Sequence, residues 1–278
     1  KHYWADKPKT SQATLRYYTD EQKMADDLKA GKLNVALPRS AHIAEQLSHT
    51  SGITLQDGFS TRKTLLALNS KSESPFSDAI DARQIANAEP GAKAQLSGPI
   101  SQMQPGYVDL DNLFQHDLGK ASSMRWYFAA DYFKPFNLLA DEAHRELAQT
   151  LVDQIAAIPM PVSLEVVDSA TLNSRVQSGD YTCALIEMDD PHDYTRFVDG
   201  SAMFGYVNGT VQQQYRKALE QTDFKDYREQ LREFDRLVSD DAASAWLYTG
   251  KDYVAAQNDV QGVDANLAGS RLALAQLS

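Results

Sequence analysis

Apolar residues recur along this chain with two alternating periods, and the alternation predicts two separate runs of strand, helix and strand. In the first run, residues 14–18 have strand composition. Thr19 or Asp20 can then cap a helix whose Met24, Ala25 and Leu28 share one face. Gly31 stops that helix, and residues 33–37 form the next strand before Pro38. Ser40 can cap a second helix carrying Ile43 and Leu47, and residues 64–69 read as a further strand.

From Asn69 to about Met124 the signals weaken into a connection punctuated by Pro75-Phe76, Gly98-Pro99 and Pro105-Gly106, with 81–88 as one short helix. Order returns with residues 123–131, which read as a strand. Residues 141–158 read as a helix with Ala143, Leu147, Leu151, Ile155 and Ile158 on one face, ended by Pro159 and Pro161. A strand at 162–167, a short helix at 169–177 and a strand at 181–186 follow. Residues 210–219 and 224–239 are helical, the latter with Tyr227, Leu231, Phe234 and Val238 inward, and 244–248 and 253–256 return to strand. The pattern predicts two α/β lobes, residues 1–68 with 247–278 forming one and 69–246 inserted between them.

Composition narrows the function classes. Lys plus Arg number 27 against 38 Asp plus Glu, a formal charge of −11, which argues against a broad phosphate-binding surface and so against nucleic acid. No apolar run approaches the ~20 residues that span a bilayer. One cysteine, Cys183, excludes an internal disulfide framework and a thiolate zinc cage, and its mid-strand position reads as an inert buried thiol. There is no nucleotide-binding glycine motif, no G-x-S-x-G elbow and no HExxH among six histidines. The chain begins with Lys rather than Met, so any targeting segment lies outside it.

The densest polar constellation is Glu187, Asp189, Asp190, His192 and Asp193, directly after the 181–186 strand. Ligands of open α/β sheets collect beyond the carboxyl ends of strands, and a carboxylate there can receive an ammonium group. The alternative is an acidic surface loop in which Asp189 or Asp190 caps the next turn. The spacing matches no familiar metal site, and no cofactor is expected. Aromatic residues crowd at Trp126, Tyr127, Phe128, Tyr132, Phe133 and Phe136, and Phe204 and Tyr206 follow the acidic loop. They supply either the walls of a ligand cleft or an aromatic core.

Several phrases together resemble family 5 extracellular solute-binding proteins of ABC transporters. They are Tyr3-Trp4-Ala5-Asp6-Lys7-Pro8, Leu15-Arg16-Tyr17-Tyr18, Lys29-Ala30-Gly31-Lys32-Leu33-Asn34-Val35-Ala36 and Pro75-Phe76-Ser77-Asp78. Asp81-Ala82-Arg83-Gln84-Ile85-Ala86, Gly98-Pro99-Ile100, Ser178-Gly179-Asp180-Tyr181, Asp189-Asp190-Pro191 and Gly205-Tyr206-Val207-Asn208 continue the series in order. The resemblance implies an α/β fold of periplasmic-binding-protein-like type II lobes, mixed sheets with flanking helices, lacking the N-terminal part of the full fold. It implies a substrate-binding component of an importer that captures an extracellular or periplasmic solute, most simply a peptide, in an interlobe cleft and delivers it to permease subunits. It also implies a monomer anchored to the membrane by lipid in its full-length form. The position that carries an Asp toward a peptide's ammonium in that family is Glu187 here. With Asp189, Trp126, Tyr127 and Tyr206 it makes up the expected ligand-binding set. Two other classes stay open: a hydrolase or metal-dependent enzyme built on the 187–193 loop, and a sensor domain that kept the binding fold. An enzyme needs a titratable pair in a pocket, whereas a binder needs an ion partner and apolar walls.

Overall fold

A computed structural model describes residues 9–69, 82–127, 135–158, 160–267 and 272–278. The Tyr3–Pro8 and Pro75–Asp78 phrases, the aromatic residues Phe128, Tyr132 and Phe133, and Pro159 lie outside the described residues. The chain divides into two compact units, residues 1–61 with 90–93 and 250–278, and residues 62–89 with 94–249. Two long strands, β2 (Ile53–Leu68) and β7 (Ser244–Gln257), each contribute one part to either unit.

The first unit is built on α1 (Glu21–Lys29), β1 (Val35–Ala36) and α2 (Ala41–Ser48). Asp20 caps α1 by accepting a hydrogen bond from Lys23 N at 3.1 Å, and Ala25 and Leu28 face a core shared with Ile43, Leu47, Ile53 and Ala255. β1 pairs antiparallel with β7, Val35 opposite Ala256. The expected strand at 33–37 is thus only two residues long. The expected strand at 14–18 does not form: Tyr17 is 95% and Leu15 66% exposed, and strand propensity without a ladder partner leaves an extended segment.

The second unit carries a mixed sheet. β4 (Phe136–Asp141) lies parallel to both β5 (Val162–Val167) and β6 (Cys183–Met188), and β6 pairs antiparallel with β2 from Lys63–Met188 to Leu68–Cys183. The crossovers are α5 (Arg145–Ala156) and α6 (Ser169–Ser178), as parallel neighbours require. A helical hairpin of α7 (Gly209–Leu219) and α8 (Phe224–Asp240) adds to the core. Leu231, Phe234 and Val238 are fully buried there with Phe197, Phe204 and Trp246, as the helical period predicts.

Residues 123–131 were expected as a strand; through residue 127 they belong instead to a helix, α4 (Leu118–Tyr127). Asp117 accepts from Lys120 N at 2.9 Å at its start and Ala121 is buried, so a cap and a core contact override the β propensity of Trp126 and Tyr127. The strand of this region is β4, further along. The remaining elements are α3 (Ala82–Ala88) and β3 (Ala92–Gln95).

Close approach explains two motif glycines. A Cβ on Gly98 would lie 2.6 Å from Ser239 Oγ and 2.7 Å from Asp235 Oδ1, so the Gly-Pro-Ile turn seats directly on α8. Gly179 ends α6 at φ 73°, where a Cβ would meet Ala202 O at 2.6 Å.

Candidate solute-binding site

Glu187 sits within β6 rather than after it, because the strand runs two residues further than residues 181–186 suggest. In register it stands opposite Thr64 of β2. Its Oε1 is 3.9 Å from Arg62 Nε and 4.0 Å from His144 Nε2, with 36% of its side chain exposed. His144 is oriented by Asp141, the last residue of β4: its Nδ1 lies 2.7 Å from Asp141 Oδ1. Asp141 also accepts from Ser169 Oγ at 2.9 Å. Burial works to raise the Asp141 carboxyl, but the bonds from His144 and Ser169 outweigh it and hold it below the usual range. Burial raises Glu89, opposed by His144, and pushes Tyr248 up to about 12, with Glu89, Glu187 and Arg62 among the charges that act on it. These groups gather where β4 and β6 end, the end of a parallel sheet at which ligands collect.

The neighbouring face of β2 carries a different assembly. The fully buried Lys63 ammonium donates to the Asp193 carboxylate, to Pro99 O at 3.0 Å and to Gln104 Oε1 at 3.2 Å. Gln104 in turn donates through Nε2 to Pro191 O. Burial lowers Lys63 and raises Asp193 to about 6, the attraction between them opposing both shifts. Asp235 accepts from Ile100 N at 3.1 Å and Val108 N at 3.3 Å, and burial nonetheless raises it to about 8. The loop of residues 189–193 is therefore fastened from beneath by Lys63 and Gln104.

The expected ligand set is spread over several environments. Asp189 is exposed beside Asp190, whose Oδ1 accepts from His192 N at 2.7 Å and so caps the turn. Tyr206 is 5% exposed, and its hydroxyl donates to Asp241, which also accepts from Asn208 Nδ2 at 2.5 Å. Asn208 caps α7 through Thr210 N and Val211 N, so this phrase fixes the start of a helix. The backbone of Trp126 and Tyr127 is helical. Cys183 is buried and its thiol pushed up by burial, as expected of an inert thiol. Sequence reasoning missed Arg62, Lys63, Asp141 and His144. Among the described residues no group of three or more His, Cys, Asp and Glu is placed to hold a metal ion, and no helix is long and apolar enough to cross a membrane.

A mixed sheet with crossover helices thus carries a cluster of ionisable groups at its carboxyl ends, and comparison with known proteins gives the family. Residues 1–201 match the family model of the bacterial extracellular solute-binding proteins, family 5 Middle, and the chain belongs to that family. It is 24% identical over 288 residues to the probable D,D-dipeptide-binding periplasmic protein DdpA of Escherichia coli K12, covering 94% of this chain and 55% of that one. By fold it is similar to the ABC transporter substrate-binding protein CtaP of Listeria monocytogenes, with TM-score 0.79 and 17% identity over 94% of this chain and 59% of that one. It is also similar to the oligopeptide-binding protein AppA of Bacillus subtilis, solved with a nonapeptide, with TM-score 0.71 and 15% identity over 93% and 58%. The chain thus spans a little over half the length of these relatives.

Proposed function

We propose that this chain forms part of the substrate-binding component of an ABC importer, that its solute is a peptide, and that Glu187 receives the peptide's ammonium group. The observation that carries the reading is the position of Glu187. It is a half-exposed carboxylate at the carboxyl end of a parallel sheet, in a chain belonging to the family 5 solute-binding proteins. A relative named for D,D-dipeptides and a similar fold holding a nonapeptide favour peptides over other solutes. His144 and Arg62 flank Glu187 at 4.0 and 3.9 Å, and neither is a close partner to its carboxylate. The protein does no covalent chemistry on this reading. It works outside the cytoplasmic membrane, as a lipid-anchored monomer in its full-length form, and hands its solute to permease subunits.

Calorimetric titration with tri-alanine and with N-acetyl-tri-alanine tests this. The expected result is binding of the free peptide and at least roughly tenfold weaker binding of the acetylated one, the loss of one charge-assisted hydrogen bond. Equal affinity for the two forms, or a non-peptide solute retained in native mass spectrometry in preference to tri-alanine, overturns it.

A further inference from the structure

Away from Glu187, the second unit contains a cavity of about 370 Å³ that includes Asn137, Glu165, Arg175, Asp180 and Thr182 in its wall. Its size falls in the range of small-molecule pockets, roughly 300–1,000 Å³. Asn137 is the second residue of β4 and Thr182 immediately precedes β6, so the cavity opens toward the amino ends of these strands, whereas Asp141 and Glu187 sit toward their carboxyl ends.

The polar wall is held rigidly. Glu165 accepts from Asn137 Nδ2 at 2.8 Å on one oxygen and from Arg175 Nη1 at 2.7 Å on the other. Those two bonds hold its carboxyl below the usual range. Arg175 Nε donates to Asp180 O at 3.1 Å and lies 3.7 Å from Asp180 Oδ2. The turn carrying Asp180 is fixed by Gly179, whose carbonyl accepts from Asn69 Nδ2 at 2.5 Å. Asp180 N closes the helix end by donating to Arg175 O at 2.9 Å.

What this frame leaves open defines a ligand. Among the described residues, Arg175 Nη2 has no acceptor, Asn137 Oδ1 has no donor, and the Asp180 side chain is 81% exposed. The wall therefore offers donors from Arg175 alongside acceptors from Asn137 and Asp180. One positive charge stands against two negative ones, so an added anion meets net repulsion. Glu165 is already paired with Arg175, and the remaining Asp180 carboxylate is largely open to solvent, which screens its pull on a compact cation. A hydroxyl both donates and accepts, and a row of hydroxyls satisfies Arg175, Asn137 and Asp180 without adding charge. Leu139 and Tyr181 supply the small apolar share of the wall.

We propose that this cavity is a binding site for a neutral polyhydroxylated molecule, a monosaccharide or sugar alcohol, held by Arg175, Asn137 and Asp180. It is independent of the peptide reading for Glu187.

The test is nuclear magnetic resonance titration of the 278-residue protein with D-glucose and with sorbitol, following the Asn137 side-chain amide and the Arg175 Nε–H signal. Acetate and methylammonium serve as charged controls. Saturable shifts with either polyol and none with the controls are expected. Asp180→Asn, at an exposed position, keeps the Arg175–Glu165 pair and should weaken polyol binding by roughly tenfold. Arg175→Lys should abolish the response. The proposal is overturned if neither polyol shifts these signals, if acetate shifts them instead, or if Asp180→Asn and Arg175→Lys both leave the polyol response intact.

Discussion

Arg62 and Lys63 are adjacent on β2 and send their charges to opposite sides of the sheet: Arg62 comes within 3.9 Å of Glu187, while Lys63 grips Asp193. A strand's period of two produces this split, and it gives neighbouring cations separate tasks. One borders the candidate site and is 10% exposed; the other, 1% exposed, fastens the loop that follows that site.

Lys63→Met should therefore be strongly destabilising. It removes a donor shared by Asp193, Pro99 O and Gln104 and leaves the Asp193 carboxyl buried without its cation. Breaking one side of a buried pair costs about 3–5 kcal/mol. Replacing both sides with apolar groups, Lys63→Met with Asp193→Leu, should restore much of that loss. Denaturant unfolding of the two variants checks this; a double variant no more stable than the single one argues that the network has no apolar substitute.

Asp235 makes stability depend on pH in a defined direction. Its carboxyl is raised from 3.8 to about 8, burial outweighing the Ile100 and Val108 N–H donors. Between those values the folded protein holds a proton that the unfolded chain has released. Stability contributed by this group is therefore full at low pH and declines as pH rises toward 8, by at most about 1.4 kcal/mol per pH unit. Asp235→Asn removes this titration, so its stability relative to the wild type should rise steadily from about pH 4 to about pH 8, because the amide has no proton to lose. Thermal melts across that range decide it, and parallel curves for the two proteins would refute the assignment.

How legible these features were in the sequence depended on how local their causes are. The face of α8 was readable because Leu231, Phe234 and Val238 obey a helical period that burial enforces. β4 was not: as a central parallel strand it is apolar on both faces, yet its buried run is only Leu138-Leu139-Ala140 between polar neighbours, too short to show a period. The acidic loop marked Glu187, since a carboxylate after a strand is a local signal. Its partners come from elsewhere, Arg62 from β2 and His144 from the turn after β4, and no spacing announces them. Lys63 reads as a solvent-facing residue until the chain places Asp193, 130 residues away, against it. The motif glycines were visible as turns, but the reason for Gly98, its contact with Ser239 and Asp235, is tertiary.

Tyr206 offers a clean separation of packing from ligand contact. Its hydroxyl donates to Asp241 and its ring packs edge-on to Phe197 at 6.1 Å between centroids. Tyr206→Phe keeps the ring and should cost about 1–2 kcal/mol by leaving Asp241 with one fewer donor. Solute affinity should stay unchanged. A variant with full stability and weakened tri-alanine binding would instead put the hydroxyl in contact with solute.

Glu187 and Asp190 make the sharpest comparison, since both are carboxylates of one short segment in different environments. Glu187 is half-exposed, with Arg62 Nε at 3.9 Å and His144 Nε2 at 4.0 Å, distances too long for strong pairing and open enough to admit a ligand donor. Glu187→Gln keeps the shape, so fold stability should change by less than about 1 kcal/mol, the ordinary worth of an exposed ion pair. Tri-alanine affinity should fall by about ten- to a hundredfold, the equivalent of one charge-assisted hydrogen bond. Asp190 caps its own turn through His192 N at 2.7 Å, so Asp190→Ala should cost about 1 kcal/mol of stability and leave affinity intact. Calorimetry and thermal melts on both variants read the two effects separately. Were Glu187→Gln to lower stability and spare affinity, the carboxylate would be an internal counter-ion for Arg62. The solute's ammonium group would then have to be held by another residue, with exposed Asp189 the next to replace.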